Sequence, residues 1–161
     1  MGIVDVYNLE GINMEFITKN YEETIALGEK IGCLLPANSI LAMNGDLAAG
    51  KTTFTKGIGK ALNIKQVINS PTFNILKIYE GDKTLYHIDA YRLAENPYDL
   101  GFEEYTDEGG IMVIEWFDYM KDMIEDDYLE FIFNYIDDNT RRIEVISHGE
   151  LYDNLMKELA K

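Results

Sequence analysis

Gly45, Gly50, Lys51 and Thr52 satisfy the spacing G-x-x-x-x-G-K-[ST] within the stretch NGDLAAGKTTF, residues 44–54. Glycines let a backbone curl until successive N–H groups point into one concavity, and a helix that begins there adds the positive end of its dipole. The result is a cradle for phosphate. The lysine of such a motif reaches the β- and γ-phosphates of a nucleotide, and the hydroxyl that follows it ligates Mg2+. Lys51 and Thr52 occupy those two places. The chemistry also needs a carboxylate at the end of a neighbouring strand, to hold Mg2+ and to orient the attacking group. Two acids qualify: Glu115 ends the apolar run IMVIE, and Asp89 ends LYHID. Both stand at the C-terminal strand edge on which α/β folds bind ligands. Alternation puts His87, Asp89 and Tyr91 on one strand face, with His87 reading as a core histidine. In NSPTF, residues 69–73, Pro71 stiffens a turn. Thr72 offers a hydroxyl where switch I of GTPases meets the γ-phosphate.

The elements that must position these groups alternate between strand and helix. NMEFIT, at 13–18, reads as an edge strand and Tyr21 to Leu35 as a helix with a stripe through Ile25, Ala26, Leu27, Gly28 and Ile31. SILAM, at 39–43, is too short for a helix and is a buried strand feeding the phosphate loop. Lys51 to Leu62 is then a helix closed near Asn63. A hairpin turning at Gly81-Asp82 follows, then a central strand in GIMVIEWF. A second hairpin turns at Asp137-Asp138-Asn139. The last helix carries Leu151, Leu155, Met156 and Leu159 on one side. The class is α/β: a mixed parallel and antiparallel sheet flanked by helices, in one domain of 161 residues.

Charge and composition narrow the function. The net charge of −15 is uneven: residues 94–140 hold 15 acidic side chains against the single base Lys121, while the rest is nearly balanced. That segment is either a solvated acidic face or a docking surface for a basic partner. No basic stripe is available to neutralise a run of phosphates, which argues against tight nucleic-acid binding by this chain alone. No apolar run reaches the roughly 18 residues of a membrane span, and the N-terminus lacks the pattern of a signal peptide. A soluble cytoplasmic protein is expected. The single cysteine, Cys33, lies in the apolar stretch IGCLL and reads as a buried hydrophobe.

Among phosphate-loop proteins, a small GTPase needs a guanine-reading N/T-K-x-D, which this sequence lacks. A small-molecule kinase usually surrounds the transferred group with several arginines. Here there are three, of which Arg92 alone falls near the expected site, while Arg141 and Arg142 sit together at a hairpin. The kinase remains the alternative reading.

GDLAAGKTTF, SPTF, YHIDAYRL and IEW, in this order and spacing, make the chain from Tyr21 to the end resemble the TsaE family of tRNA threonylcarbamoyladenosine biosynthesis ATPases. Residues 1–20 read as an N-terminal extension to a domain covering 21–161. The resemblance implies a Mg-dependent ATPase needed for forming threonylcarbamoyladenosine at position 37 of tRNA. It implies that the protein binds the TsaB–TsaD complex, resets it through ATP hydrolysis, and meets tRNA only through that complex. Carried onto this sequence, the loop residues Gly45, Asp46, Leu47, Ala48, Ala49, Gly50, Lys51, Thr52 and Thr53 would bind ATP, with Trp116 beside the nucleotide. Thr52 and Glu115 would sit at Mg2+, Lys51 would hold phosphates, and Asp89 and Thr72 would support hydrolysis. A further nucleotide contact would come from around Tyr21 to Thr24. One position departs: the family usually reads G-D-L-G-A-G-K-T, and Ala48 replaces a glycine. If that position needs positive φ, alanine there costs roughly 1 kcal/mol.

Overall fold

The apolar run before the phosphate loop lies at the hub of the sheet, and the other elements arrange themselves around it. The structure, a computed structural model, describes residues 3–8, 11–71, 75–91, 105 and 108–161, with backbone alone for 3–8 and 11. In chain order the elements are β1 (Ile3–Asn8), β2 (Gly11–Thr18), α1 (Tyr21–Gly32), β3 (Ile40–Gly45), α2 (Lys51–Ala61), β4 (Leu76–Tyr79) and β5 (Leu85–Asp89). They continue with β6 (Ile111–Glu115), β7 (Tyr128–Tyr135), β8 (Arg141–His148) and α3 (Glu150–Leu159). The described strands form one sheet in the order β1-β2-β8-β7-β3-β6-β5-β4. β3 runs parallel to both β6 and β7, and β5 runs parallel to β6. The hairpins β1–β2, β4–β5 and β7–β8, and the β2–β8 pair, are antiparallel. The expected mixed sheet is thus present.

Burial follows this topology. β6 is buried at all five positions and β3 at its first four, because central parallel strands are covered on both faces. β7 alternates, burying Leu129, Phe131 and Phe133, and β8 buries Ile143, Val145 and Ser147. On one face, Leu41, Met43, Leu85, Val113 and Phe131 pack with Leu27, Ile31, Phe54 and Ile58 of α1 and α2 and with Leu155 and Leu159 of α3. On the other, Ala42, Ile88 and Ile114 pack with Phe117 and Met120 from the 3-10 turns after β6.

Four local expectations change. Residues 13–18 fall in β2, an inner strand between β1 and β8; β1 takes the edge because it pairs with β2 along its whole length. Helix α1 buries Thr24, Leu27, Gly28, Ile31 and Gly32 and leaves Ala26 exposed. Close packing selects its small residues against α2. In α3, Leu151 is exposed and Tyr152 is buried instead, its hydroxyl accepting the Ile40 N–H at 2.9 Å. Cys33 is exposed, since it stands at the C-cap of α1, where the helix stripe has ended.

Candidate functional site

Gly45 closes β3 with φ 147°, where a Cβ would fall 2.6 Å from the carbonyl oxygen of Phe133; β7 runs too close for any side chain. The loop turns through Asp46 to Gly50, which caps α2 in the left-handed region at φ 106°. Ala48 has φ 62°. The departure from glycine therefore does fall at a strained position, and the strain is of the order of 1 kcal/mol. The first turn of α2 carries no acidic side chain, whereas α1 and α3 begin with Glu22 and Glu23 and with Glu150 and Asp153. Among the described helices, α2 alone leaves its positive end free of the chain's own carboxylates in that turn, as an anion site requires.

The loop forms one wall of a cleft of about 840 Å³. Leu47 to Thr53 line it, together with Asp89, Glu115 and Trp116. Gly45 and Asp46 are not among the lining residues; their carbonyls both accept from the Lys51 ammonium, Asp46 at 3.4 Å. The same Nζ sits 3.8 Å from the centre of the Trp116 ring, an attractive placement for a cation. Lys51 is 5% exposed. Burial pushes its ammonium below the usual lysine range, and the carboxylates of Glu115, Asp46 and Asp89 partly offset this. Trp116 has φ 58° and ψ 44°, a second strained residue at the cleft. Its ring meets Tyr91 at 5.8 Å, and Tyr91 meets Tyr119 at 5.4 Å.

Asp89 and Glu115 are register partners in the parallel pair β5–β6, so both carboxylates leave the sheet at one edge, beside the loop. Thr72 and Arg92 lie outside the described residues. The sequence reading missed two things. Glu115 is 5% exposed and receives the Nε2 of His87, a residue with no exposed surface. Arg141 also reaches the cleft, contrary to its expected remoteness: β8 lies next to β7 and β7 next to β3, which brings the start of β8 to the phosphate loop. Its Nη2 donates to Ala48 O at 3.1 Å, and its guanidinium lies 4.5 Å from the Tyr135 ring. Asn20, Tyr21 and Thr24 line the cleft from the start of α1, the segment from which the resemblance implies a further nucleotide contact. There the Thr24 and Thr18 hydroxyls are 2.7 Å apart, and Asn20 accepts from Glu23 N at 2.8 Å.

Residues 18–143 match the family model described as "Threonylcarbamoyl adenosine biosynthesis protein TsaE". The chain belongs to the TsaE family. It is 36% identical over 149 residues to the tRNA threonylcarbamoyladenosine biosynthesis protein TsaE of Bacillus subtilis, covering 92% of this chain and 94% of that one. The Treponema pallidum protein of the same name is 43% identical over 105 residues, 64% of this chain and 78% of that one. The crystal structure of Bacillus subtilis YdiB superposes with a TM-score of 0.80 at 32% identity, covering 92% and 94% of the two chains. The fold is therefore the family's. Among the described residues, no helix is long and apolar enough to cross a membrane.

The donor set fits a magnesium nucleotide. Among the described residues no group of three or more His, Cys, Asp or Glu side chains is arranged to hold a metal. Mg2+ does not need one, since it is commonly held by one or two carboxylates together with substrate phosphates. Glu115, Asp89 and the Thr52 hydroxyl are hard oxygen donors of the kind it takes.

Proposed function

We propose that this chain is a Mg-dependent ATPase that serves threonylcarbamoylation of adenosine 37 in tRNA, working in the cytoplasm by binding the TsaB–TsaD complex and resetting it through ATP hydrolysis. The observation that carries the nucleotide part is the convergence of the strained loop, Lys51 and the β5–β6 carboxylates on one cleft. The family membership and the names of the relatives support the pathway.

The residues divide the work by chemistry. The loop N–H groups and the start of α2 would bind the phosphates. Lys51 would exchange its own loop carbonyls for phosphate oxygens, a stronger charge-assisted contact. Thr52 and Glu115 would hold Mg2+, which when bound neutralises charge on the β- and γ-phosphate oxygens. Asp89, at the same edge, would accept a hydrogen bond from the attacking water, and Thr72 would support hydrolysis with it. The interleaved Trp116 and Tyr91 would screen this end from bulk solvent. Arg141 favours the kinase alternative in part, since it adds a cation to the cleft. Its guanidinium, however, donates to the carbonyls of Ala48, Asp137 and Thr140, which suits a cleft wall better than a phosphoryl clamp.

The test is phosphate release from Mg-ATP, alone and with TsaB–TsaD, with Lys51→Ala as the blank. Turnover that depends on Lys51 and changes with the complex is expected. ADP formation only when a metabolite acceptor is supplied would replace this reading by the kinase.

A further inference from the structure

His87 occupies the middle of β5 between the buried residues Tyr86 and Ile88, and no part of it reaches solvent. A polar ring in that position needs a partner, and register supplies one. His87 stands opposite Val113 and Asp89 opposite Glu115, so His87 and Glu115 are diagonal neighbours on the same face. Nε2 of His87 meets Oε2 of Glu115. The other ring nitrogen, Nδ1, is buried without a hydrogen-bond partner among the described residues. An N–H left unpaired there would carry the full desolvation penalty of a donor. The tautomer that avoids it keeps its proton on Nε2 and donates to the carboxylate. Glu115 is therefore held from behind by the sheet, while the Lys51 ammonium is taken up by Gly45, Asp46 and the Trp116 ring. The two opposite charges at the cleft are kept for separate tasks.

We infer that His87 is a positioning residue for Glu115: its Nε2–H fixes Oε2 and thereby presents the other carboxylate oxygen to the magnesium of the bound nucleotide. This rests on the proposed role of Glu115 at Mg2+. Orienting hydrogen bonds of this kind typically change metal affinity by about 10–100-fold when removed.

The experiment compares wild type, His87→Leu and His87→Gln in the full chain, measuring ATP affinity by calorimetry with excess Mg2+ and with excess EDTA. Leucine removes the donor, whereas glutamine carries an N–H close to the Nε2 position. The expected result is a loss of about tenfold in the magnesium-dependent gain for His87→Leu, with Mg-free affinity unchanged, and recovery of most of that gain in His87→Gln. An unchanged gain in His87→Leu overturns the inference. So does an equal loss in both variants accompanied by lower Mg-free affinity and melting temperature, which is the mark of a merely structural residue. A second readout needs no nucleotide: 15N spectra of the imidazoles should show His87 protonated on Nε2, with that resonance moving in Glu115→Gln. An Nε2 that does not respond to Glu115→Gln overturns the inference whatever ATP does. A wild-type protein that ignores Mg-ATP altogether defeats the ATPase reading instead, and with it any role for His87 toward the metal.

Discussion

Replacing Gly57 by alanine tests how tightly the helix behind the phosphate loop is held. Gly57 faces α1 from α2, and a methyl built on it falls 2.1 Å from Ile25 O, 2.8 Å from Glu29 N and 2.9 Å from Gly28 Cα. All three are backbone atoms of α1, and Ile25 O and Glu29 N have the spacing of one helical hydrogen bond. No side chain can rotate aside. Relaxed contact needs about 3.5 Å, so the helices must part by about 1 Å at their crossing. Overpacking costs about 1–3 kcal/mol, and a rigid backbone contact belongs at the upper end. Against it, alanine is favoured over glycine within a helix by about 1 kcal/mol. The net expectation is a loss of about 2 kcal/mol, or a melting temperature lower by about 4–8 °C in a domain of this size. Urea unfolding measures it, and ATP affinity should fall with it because α2 begins at the loop. Stability that is unchanged, or higher by about 1 kcal/mol, would mean that helix propensity alone governs this position and that the crossing is loose.

At Ala48, where φ is 62°, stability should rank Gly at or above Ala and Ala above Val, with valine costing about 1–2 kcal/mol more because a β-branched residue resists that region. Thermal unfolding of the three would show it, and a reversed order would remove the strain argument. Arg141→Ala should weaken ATP binding by about tenfold, roughly 1.4 kcal/mol, with little change in turnover at saturation, since the guanidinium lines the cleft and props Ala48 O. Backbone N–H bonds from Asn139 and Thr140 hold the Asp137 carboxyl below its ordinary range. A folded value below the unfolded one means that its stabilisation is present above the ordinary carboxylate value of about 4 and is lost as pH falls through the folded value. Asp137→Ala should therefore be less stable than wild type near neutrality and converge with it in acid, as measured by urea unfolding at about pH 7 and about pH 3.

Much of this was legible in the chain because it is local. Glycine spacing marks the loop, alternation marks β7 and β8, and unbroken apolar runs mark β3 and β6, since each reflects a backbone need felt within a few residues. The sequence also placed Glu115 and Asp89 at strand ends, and the parallel register of β5 and β6 set them side by side. Residues 13–18 read locally as an edge strand, because nothing in their own pattern reveals that β1 folds back on β2.

Local pattern suffices for the glycine-rich loop between β3 and α2, the acids that end β5 and β6, and the family to which the chain belongs. Tertiary structure alone decided how those groups are held. His87 and Glu115 are 28 residues apart and meet through strand pairing; Arg141 and Ala48 are 93 apart and meet because β8 is laid beside β7 and β7 beside β3. A single histidine in an apolar strand reads as core from its neighbours, and an arginine at a hairpin reads as surface. Only the sheet order, set by which apolar faces must be buried together, gives either one a partner at the site.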